Sequence, residues 1–170
     1  MILVGLGANL SSTAGPPAAT LEAALRAFGQ SGAATLRRSR WYRSAPLPAD
    51  DQPWYVNGVA LLATRLGPVE LLAMLHEVEA QFGRRRTRRN APRTLDLDLL
   101  DYDGLVRKGA PLLPHPRLHE RAFVLRPLAE IAPDWRHPVS GANLGELIAA
   151  LPPGQIAEPL GDPGGCGQAG

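Results

Sequence analysis

The sequence predicts an α+β fold: a ferredoxin-like βαββαβ core with a mainly antiparallel sheet and helical C-terminal additions. Three observations predict it. Apolar residues switch between strand-like and helix-like spacing in the order β-α-β-β-α-β through residue 102. Glycine, proline and Asp-Gly steps punctuate the ends of those segments. A composition of 45% hydrophobic and 20% charged residues over 170 residues is that of an ordinary globule, with core enough for one domain.

Residues 2–8 (ILVGLGA) read as a buried strand ending at Gly7. Residues 17–29 read as a helix, with Leu21, Leu25 and Phe28 recurring on one face. Residues 34–43 (ATLRRSRWYR) alternate imperfectly, as an edge strand does. The following SAPLPADDQPWY is too rich in proline and aspartate to be anything but a loop, long enough to suggest function. A Val- and Leu-rich strand spans 55–66. Gly67-Pro68 then opens a helix running to Phe82, with Leu71, Leu75, Val78 and Phe82 on one side and Gly83 as its stop. TLDLDLLDY, 94–102, has period two and halts at the turn dipeptide Asp103-Gly104. Helices are expected on one face of this sheet. Beyond it come a Pro- and His-containing loop from Leu112 to Arg121, a short helix over 122–131, and a last helix that Asn143 caps with Glu146 three residues on. The expected domain is 1–151. Ten of the nineteen residues of 152–170 are Gly or Pro, so that stretch reads as a disordered, dispensable tail.

Composition also excludes functions. No apolar run reaches the ~20 residues of a membrane span, and the start carries no basic region of a secretory signal, so a cytoplasmic protein without a membrane partner is expected. The single cysteine, Cys166, rules out an internal disulfide and a cysteine zinc cage. GLGANL places Leu10 where a dinucleotide-binding turn needs its third glycine, and no GxxxxGK[ST] occurs. Net charge is only +2, yet residues 84–93 (RRRTRRNAPR) hold six arginines and no acid. Lys108 is the one lysine among 18 basic residues. Arginine's planar fork suits phosphate, so the partner of this patch is an anion.

Asp96 and Asp98 lie directly beyond those arginines. Strand alternation puts both carboxylates on one face, about 6.5–7 Å apart, with Leu95, Leu97 and Leu99 turned to the core. A hard cation relieves their repulsion, and Mg²⁺ habitually takes one or two carboxylates plus phosphate oxygens. Metal-seeking and phosphate-seeking groups thus converge within a dozen residues, as in phosphoryl-transfer sites. Arg84, after Gly83, and Arg93, after Pro92, are the best-anchored arginines. Tyr55 and Asn57 share a strand face and offer a ring and a bidentate amide to a flat heterocycle, with core packing as the alternative. Phe123 stands in the same position; His115, between two prolines, offers a polar contact, with a surface loop as the alternative, and His76 and His137 read as structural.

The run R89-N-A-P-R-T-L-D-L-D-L-L100 resembles the hallmark segment of the 6-hydroxymethyl-7,8-dihydropterin pyrophosphokinases, diphosphokinases of folate biosynthesis. GLGANL, DQPWYVN, G83-R-R-R and LPHPRLHERAFVLRPLAEIAP stand in the matching order, so the resemblance spans about residues 2–151. It implies a ferredoxin-like fold and transfer of diphosphate from MgATP to the pterin's hydroxymethyl oxygen, releasing AMP. It implies two Mg²⁺ ions on Asp96 and Asp98, with Arg84 and Arg93 beside them in catalysis. Glu79, Arg84, Arg93, His115 and Arg121 would bind ATP, and Tyr55, Asn57, Phe123 and Leu47 the pterin. Against the family pattern, Asn90-Ala91 replaces a frequent Trp-Gly in a loop one residue shorter, Pro48 a frequent glycine, and Pro116 a frequent tyrosine. With no tryptophan to stack on the nucleotide, the loop 84–93 is expected to be mobile when empty and to close on charge alone. A small RNA-binding domain is the rival reading of RRRTRR, but two acids beside the patch repel nucleic acid, so none is expected as partner. Another metal-dependent nucleotidyltransferase would share the D-x-D.

Overall fold

The computed structural model describes residues 1–84 and 92–161. Its elements run β1 (Ile2–Ala8), α1 (Pro17–Gln30), β2 (Ala33–Arg38), β3 (Tyr42–Ser44), β4 (Tyr55–Thr64), α2 (Pro68–Gln81), β5 (Asp96–Tyr102), a 3-10 turn (Leu118–Glu120), α3 (Ala122–Ile131), α4 (Leu144–Ala149) and β6 (Ala157–Pro159). The six strands form one open sheet in the order β5-β1-β4-β3-β6, with β2 also on β4, and every pairing is antiparallel.

Three expectations change. The single strand foreseen over 34–43 is two, because Ser39 and Trp41 interrupt it. The Ser39 hydroxyl accepts the Val59 N–H at 3.1 Å in place of a ladder partner. The Trp41 ring crosses Gly58 so closely that a Cβ there would lie 2.5 Å from it. Helices cover both faces of the sheet, not one. Val4, Leu6, Ala60, Leu62, Leu97 and Leu99 pack on α1 and α2, whereas Leu3, Val59 and Leu100 pack on α3, α4 and Trp135. β1 is apolar on both sides, so a one-faced arrangement would leave Leu3 in water at a cost of about 1.5–3 kcal/mol. Lastly, the segment after Pro152 is structured as far as residue 161: β6 pairs with β3, Ala157 opposite Ser44. Three residues suffice because β3 had an unpaired edge to offer. Residues 162–170 lie outside the described residues.

Local signals held where they were strong. Proline stands in the first turn of α1 and α2, Gly83 follows α2 with φ 78°, and Asn143 and Glu146 form a full capping box at the start of α4.

Candidate active site

The register of the sheet builds the floor of the site. On the α3/α4 face the odd positions of β1 are Leu3, Gly5 and Gly7. Gly5 pairs with Val59 and Asp98, and Gly7 with Asn57 and Asp96. At the Leu3 end, α3 and α4 cover the face. At the Gly7 end they do not reach, and the bare sheet is the bottom of a cavity of about 910 Å³. Glycine is required in the middle of this row, since a Cβ on Gly7 would press the Asn57 amide oxygen at 3.0 Å. Asn57 and Asp96 thus flank a gap of about 10 Å, two strand spacings.

The site residues singled out from the sequence all line this one cavity: Glu79, Arg84, Arg93, Asp96, Asp98, His115, Arg121, Leu47, Tyr55, Asn57 and Phe123. Glu79, only 2% exposed, accepts the Leu97 N–H at 2.8 Å and pairs with Arg84. The same Arg84 Nη1 donates to Asp96 Oδ1 at 2.8 Å, and Arg93 Nη1 to Asp96 Oδ2 at 2.6 Å. Both oxygens of Asp96 are therefore engaged by guanidinium. Burial works against the charge of Arg93, but Asp96 outweighs it and holds the group above its ordinary value.

Asp98 is held less tightly. Its oxygens lie 3.9 Å from His115 Nε2 and from Arg121 Nη1, beyond hydrogen-bond distance. Although 35% of its side chain faces the open cavity, its place on the floor costs it hydration. Desolvation first, then the Asp96 charge, push its carboxyl up to about 7. His115 goes the other way, lowered to about 4 by burial and then by Arg121. Its Nδ1 accepts the Arg117 N–H at 3.2 Å, so the neutral ring carries its proton on Nε2, aimed at Asp98. Arg121 is lowered, mainly by burial, without discharging. Three guanidiniums and an imidazole N–H around two carboxylates form a site able to exchange its internal ion pairs for a polyanion and cations.

At the far end Asn57 Nδ2 donates to Ser44 Oγ at 2.5 Å, which fixes the amide plane. Tyr55 donates to Gln52 at 3.1 Å, and burial raises its pKa. Arg121 lies 5.5 Å over the Phe123 ring. Arg85, Arg86, Arg88, Arg89 and Asn90 lie outside the described residues, as does the expectation of a mobile loop between Arg84 and Arg93.

A model of the family described as 7,8-dihydro-6-hydroxymethylpterin-pyrophosphokinase matches residues 3–133, from β1 to just past α3. The chain belongs to that family. Among its relatives, the 2-amino-4-hydroxy-6-hydroxymethyldihydropteridine pyrophosphokinase of Pseudomonas aeruginosa is 44% identical over 153 residues, 89% of this chain and 91% of the relative. Proteins of the same name from Synechocystis sp. and Methylorubrum extorquens are 43% and 40% identical, over 86% and 90% of this chain and 73% and 94% of theirs.

Some residues escaped sequence reasoning on this pyrophosphokinase family member. Asn9, 3% exposed, accepts the Arg93 N–H at 2.8 Å and donates to Gln52 at 2.8 Å, tying β1 to both ends of the site. A polar residue inside the apolar GLGANL was its only signal. His76, read as structural, lines the cavity. So does Gln155, which sits in the supposed tail. Among the described residues no helix is long and apolar enough to cross a membrane.

Proposed function

We propose that Asp96 and Asp98 hold two Mg²⁺ ions, that Arg84, Arg93, His115, Arg121 and Glu79 form the ATP end of the cavity, and that Tyr55, Asn57, Phe123 and Leu47 form the pterin end. The chain is an ATP-dependent pyrophosphokinase that acts on hydroxymethyldihydropterin in folate synthesis. A ferredoxin-like frame carries the site, a reading supported by the order β5-β1-β4-β2 with antiparallel neighbours throughout. The observation that carries the assignment of ends is the shared row. Asn57 and Asp96 are both partners of Gly7, so a heterocycle read by the amide puts its hydroxymethyl arm over the carboxylates.

The donor set fits Mg²⁺. Two carboxylates on one strand face supply oxygen only, and among the described residues no cluster of three or more acidic, His or Cys groups would cage a softer metal. Bound there, the ions would neutralise triphosphate charge. The residues do the rest. Asn57, fixed by Ser44, orients the pterin, and the two rings hold its faces. Arg84 and Arg93, which pair with Asp96, would donate to phosphate oxygens, and Asp96 and Asp98 would hold the metal. Arg121 and His115 Nε2–H donate from the opposite wall. The hydroxymethyl oxygen then stands in line with the β-phosphorus. A new O–P bond would form as the bond from the β-phosphorus to the α–β bridging oxygen breaks, the hydroxyl proton passing to water and the bridging oxygen leaving on AMP; positioning and charge compensation lower the barrier.

Purified protein incubated with ATP, Mg²⁺ and hydroxymethyldihydropterin should yield AMP and pterin diphosphate in equal amounts, resolved by liquid chromatography. Release of inorganic pyrophosphate, or ATP turnover without pterin, would refute the reading.

A further inference from the structure

The wall beside Phe123 is completed by residues far beyond the family-matched segment: Leu147, Ala150, Pro152 and Gln155. Helix α3 starts at Ala122, and its N-cap, Arg121, makes no side-chain cap bond. The missing cap comes from 33 residues away. Gln155 Oε1 accepts the Ala122 N–H at 2.8 Å, and its Nε2 donates to the Glu120 carbonyl at 2.7 Å. One amide therefore grips the chain on both sides of Arg121 and one residue before Phe123. Two residues on, Ala157 enters β6 opposite Ser44, the partner of Asn57. Arg126 of α3 donates to the Ala157 carbonyl at 2.9 Å, and Ala157 packs with Tyr42, Ala122 and Phe123. Segment 155–159 so joins α3, which carries Arg121 and Phe123, to β3, which steadies Asn57.

We propose that Gln155 is a positioning residue for the pterin-side wall: its amide fixes where Arg121 and Phe123 stand relative to Asn57, and the C-terminal strap it belongs to is part of the active-site frame. The inference rests on the functional reading above. Glu79, Arg84 and Arg93 are placed by α2, by Asn9 at the end of β1 and by Asp96 of β5, so of the residues assigned to the nucleotide end only Arg121 stands on the chain that Gln155 grips.

The test uses the full chain. Wild-type AMP release checks the functional reading on its own. In Gln155→Met, which keeps the bulk and deletes both hydrogen bonds, the pterin KM should rise about tenfold and kcat fall about fivefold, the scale of one lost charge-free amide pair, while the ATP KM rises by no more than about threefold because Arg121 is one of several nucleotide-end contacts. Amide hydrogen exchange at residues 121–125 should accelerate. If melting falls while both KM values stay unchanged, or both rise by the same factor, Gln155 is only a helix cap and the proposal fails. Should Gln155→Met not fold, Gln155→Glu keeps the acceptor for Ala122 and loses the donor to Glu120. It should raise the pterin KM by a larger factor than the ATP KM, and equal factors there overturn the proposal as well.

Discussion

Asp96 and Asp98 are chemically identical and two residues apart, yet the structure treats them differently. Among the described residues, Asp96 has both oxygens within 2.8 Å of a guanidinium, whereas Asp98 has none within hydrogen-bond distance. The difference decides what each loss does. Asp98→Ala removes no hydrogen bond found among the described residues and relieves the repulsion with Asp96, so melting should hold or rise while turnover falls by about 10³-fold or more for want of a metal ligand. Asp96→Ala should abolish turnover to the same degree but lower the melting temperature, because Arg84 and Arg93 lose their shared partner in a half-buried place. AMP release and thermal melting on both variants check this. Near-normal turnover in either would remove the carboxylate from the machinery.

Elements are joined at a few contacts whose removal is predictable. Trp41 lies over Gly58 where β2 passes into β3, with its indole N–H on Glu22 of α1 at 3.0 Å. Gly58→Ala drives a Cβ into that ring and should cost about 1–3 kcal/mol. Gly29→Ala, in the exposed last turn of α1 with nothing within 4 Å, should stabilise by about 0.5–1 kcal/mol. Urea midpoints of the two variants should move in opposite directions. A second joint links α3 to β3: Glu130 accepts from the Arg40 backbone at 2.9 Å and from the Tyr42 hydroxyl. Burial alone would raise the Glu130 carboxyl, but the bonds from Tyr42 and Arg40 hold it below its ordinary value. Tyr42 is pushed up to about 12 by burial and then by Glu130. A depressed carboxylate stabilises the fold above its unfolded pKa and loses that contribution as pH falls through the folded one. Glu130→Gln should therefore lower the urea midpoint at pH 7, and by less at pH 3. An equal deficit at both pH values would show packing, not charge, at work.

On the scale of the molecule, the site is a stretch of sheet that the helices leave bare. One end is held by α2 and β5, the other by β3, α3 and the strap. Its Asp96 ion pairs are in place before any ligand arrives, since Arg84 and Arg93 compensate that carboxylate. Free Mg²⁺ must displace them unaided, whereas a triphosphate offers the arginines new partners. Calorimetry should accordingly show little binding of Mg²⁺ alone at millimolar concentration, and strong, mutually dependent binding of Mg²⁺ with a non-hydrolysable ATP analogue, with melting raised only by the pair. Tight Mg²⁺ binding to the free protein would contradict this exchange of partners.

The sequence by itself determined whatever depends on neighbours a few residues away. The alternation of 94–102 put Asp96 and Asp98 on one face, the prolines opened α1 and α2, and Asn143 with Glu146 closed its capping box. These rest on Cβ direction and on bonds spanning two to four residues, which a short window contains. Its motif run also named the family and the residues that meet in the cavity. Only the tertiary structure decided the break at Trp41, the covering of both sheet faces, the burial of Asn9 and Glu79, and the return of Gln155 to α3 and of Ala157 to β3. Each joins segments 18 to 115 residues apart. A glutamine after a Pro-Pro-Gly reads locally as loop, and nothing within its own turn says which distant N–H it will accept. That choice falls to whichever segment the packed core brings within reach, and the core is a property of the whole chain.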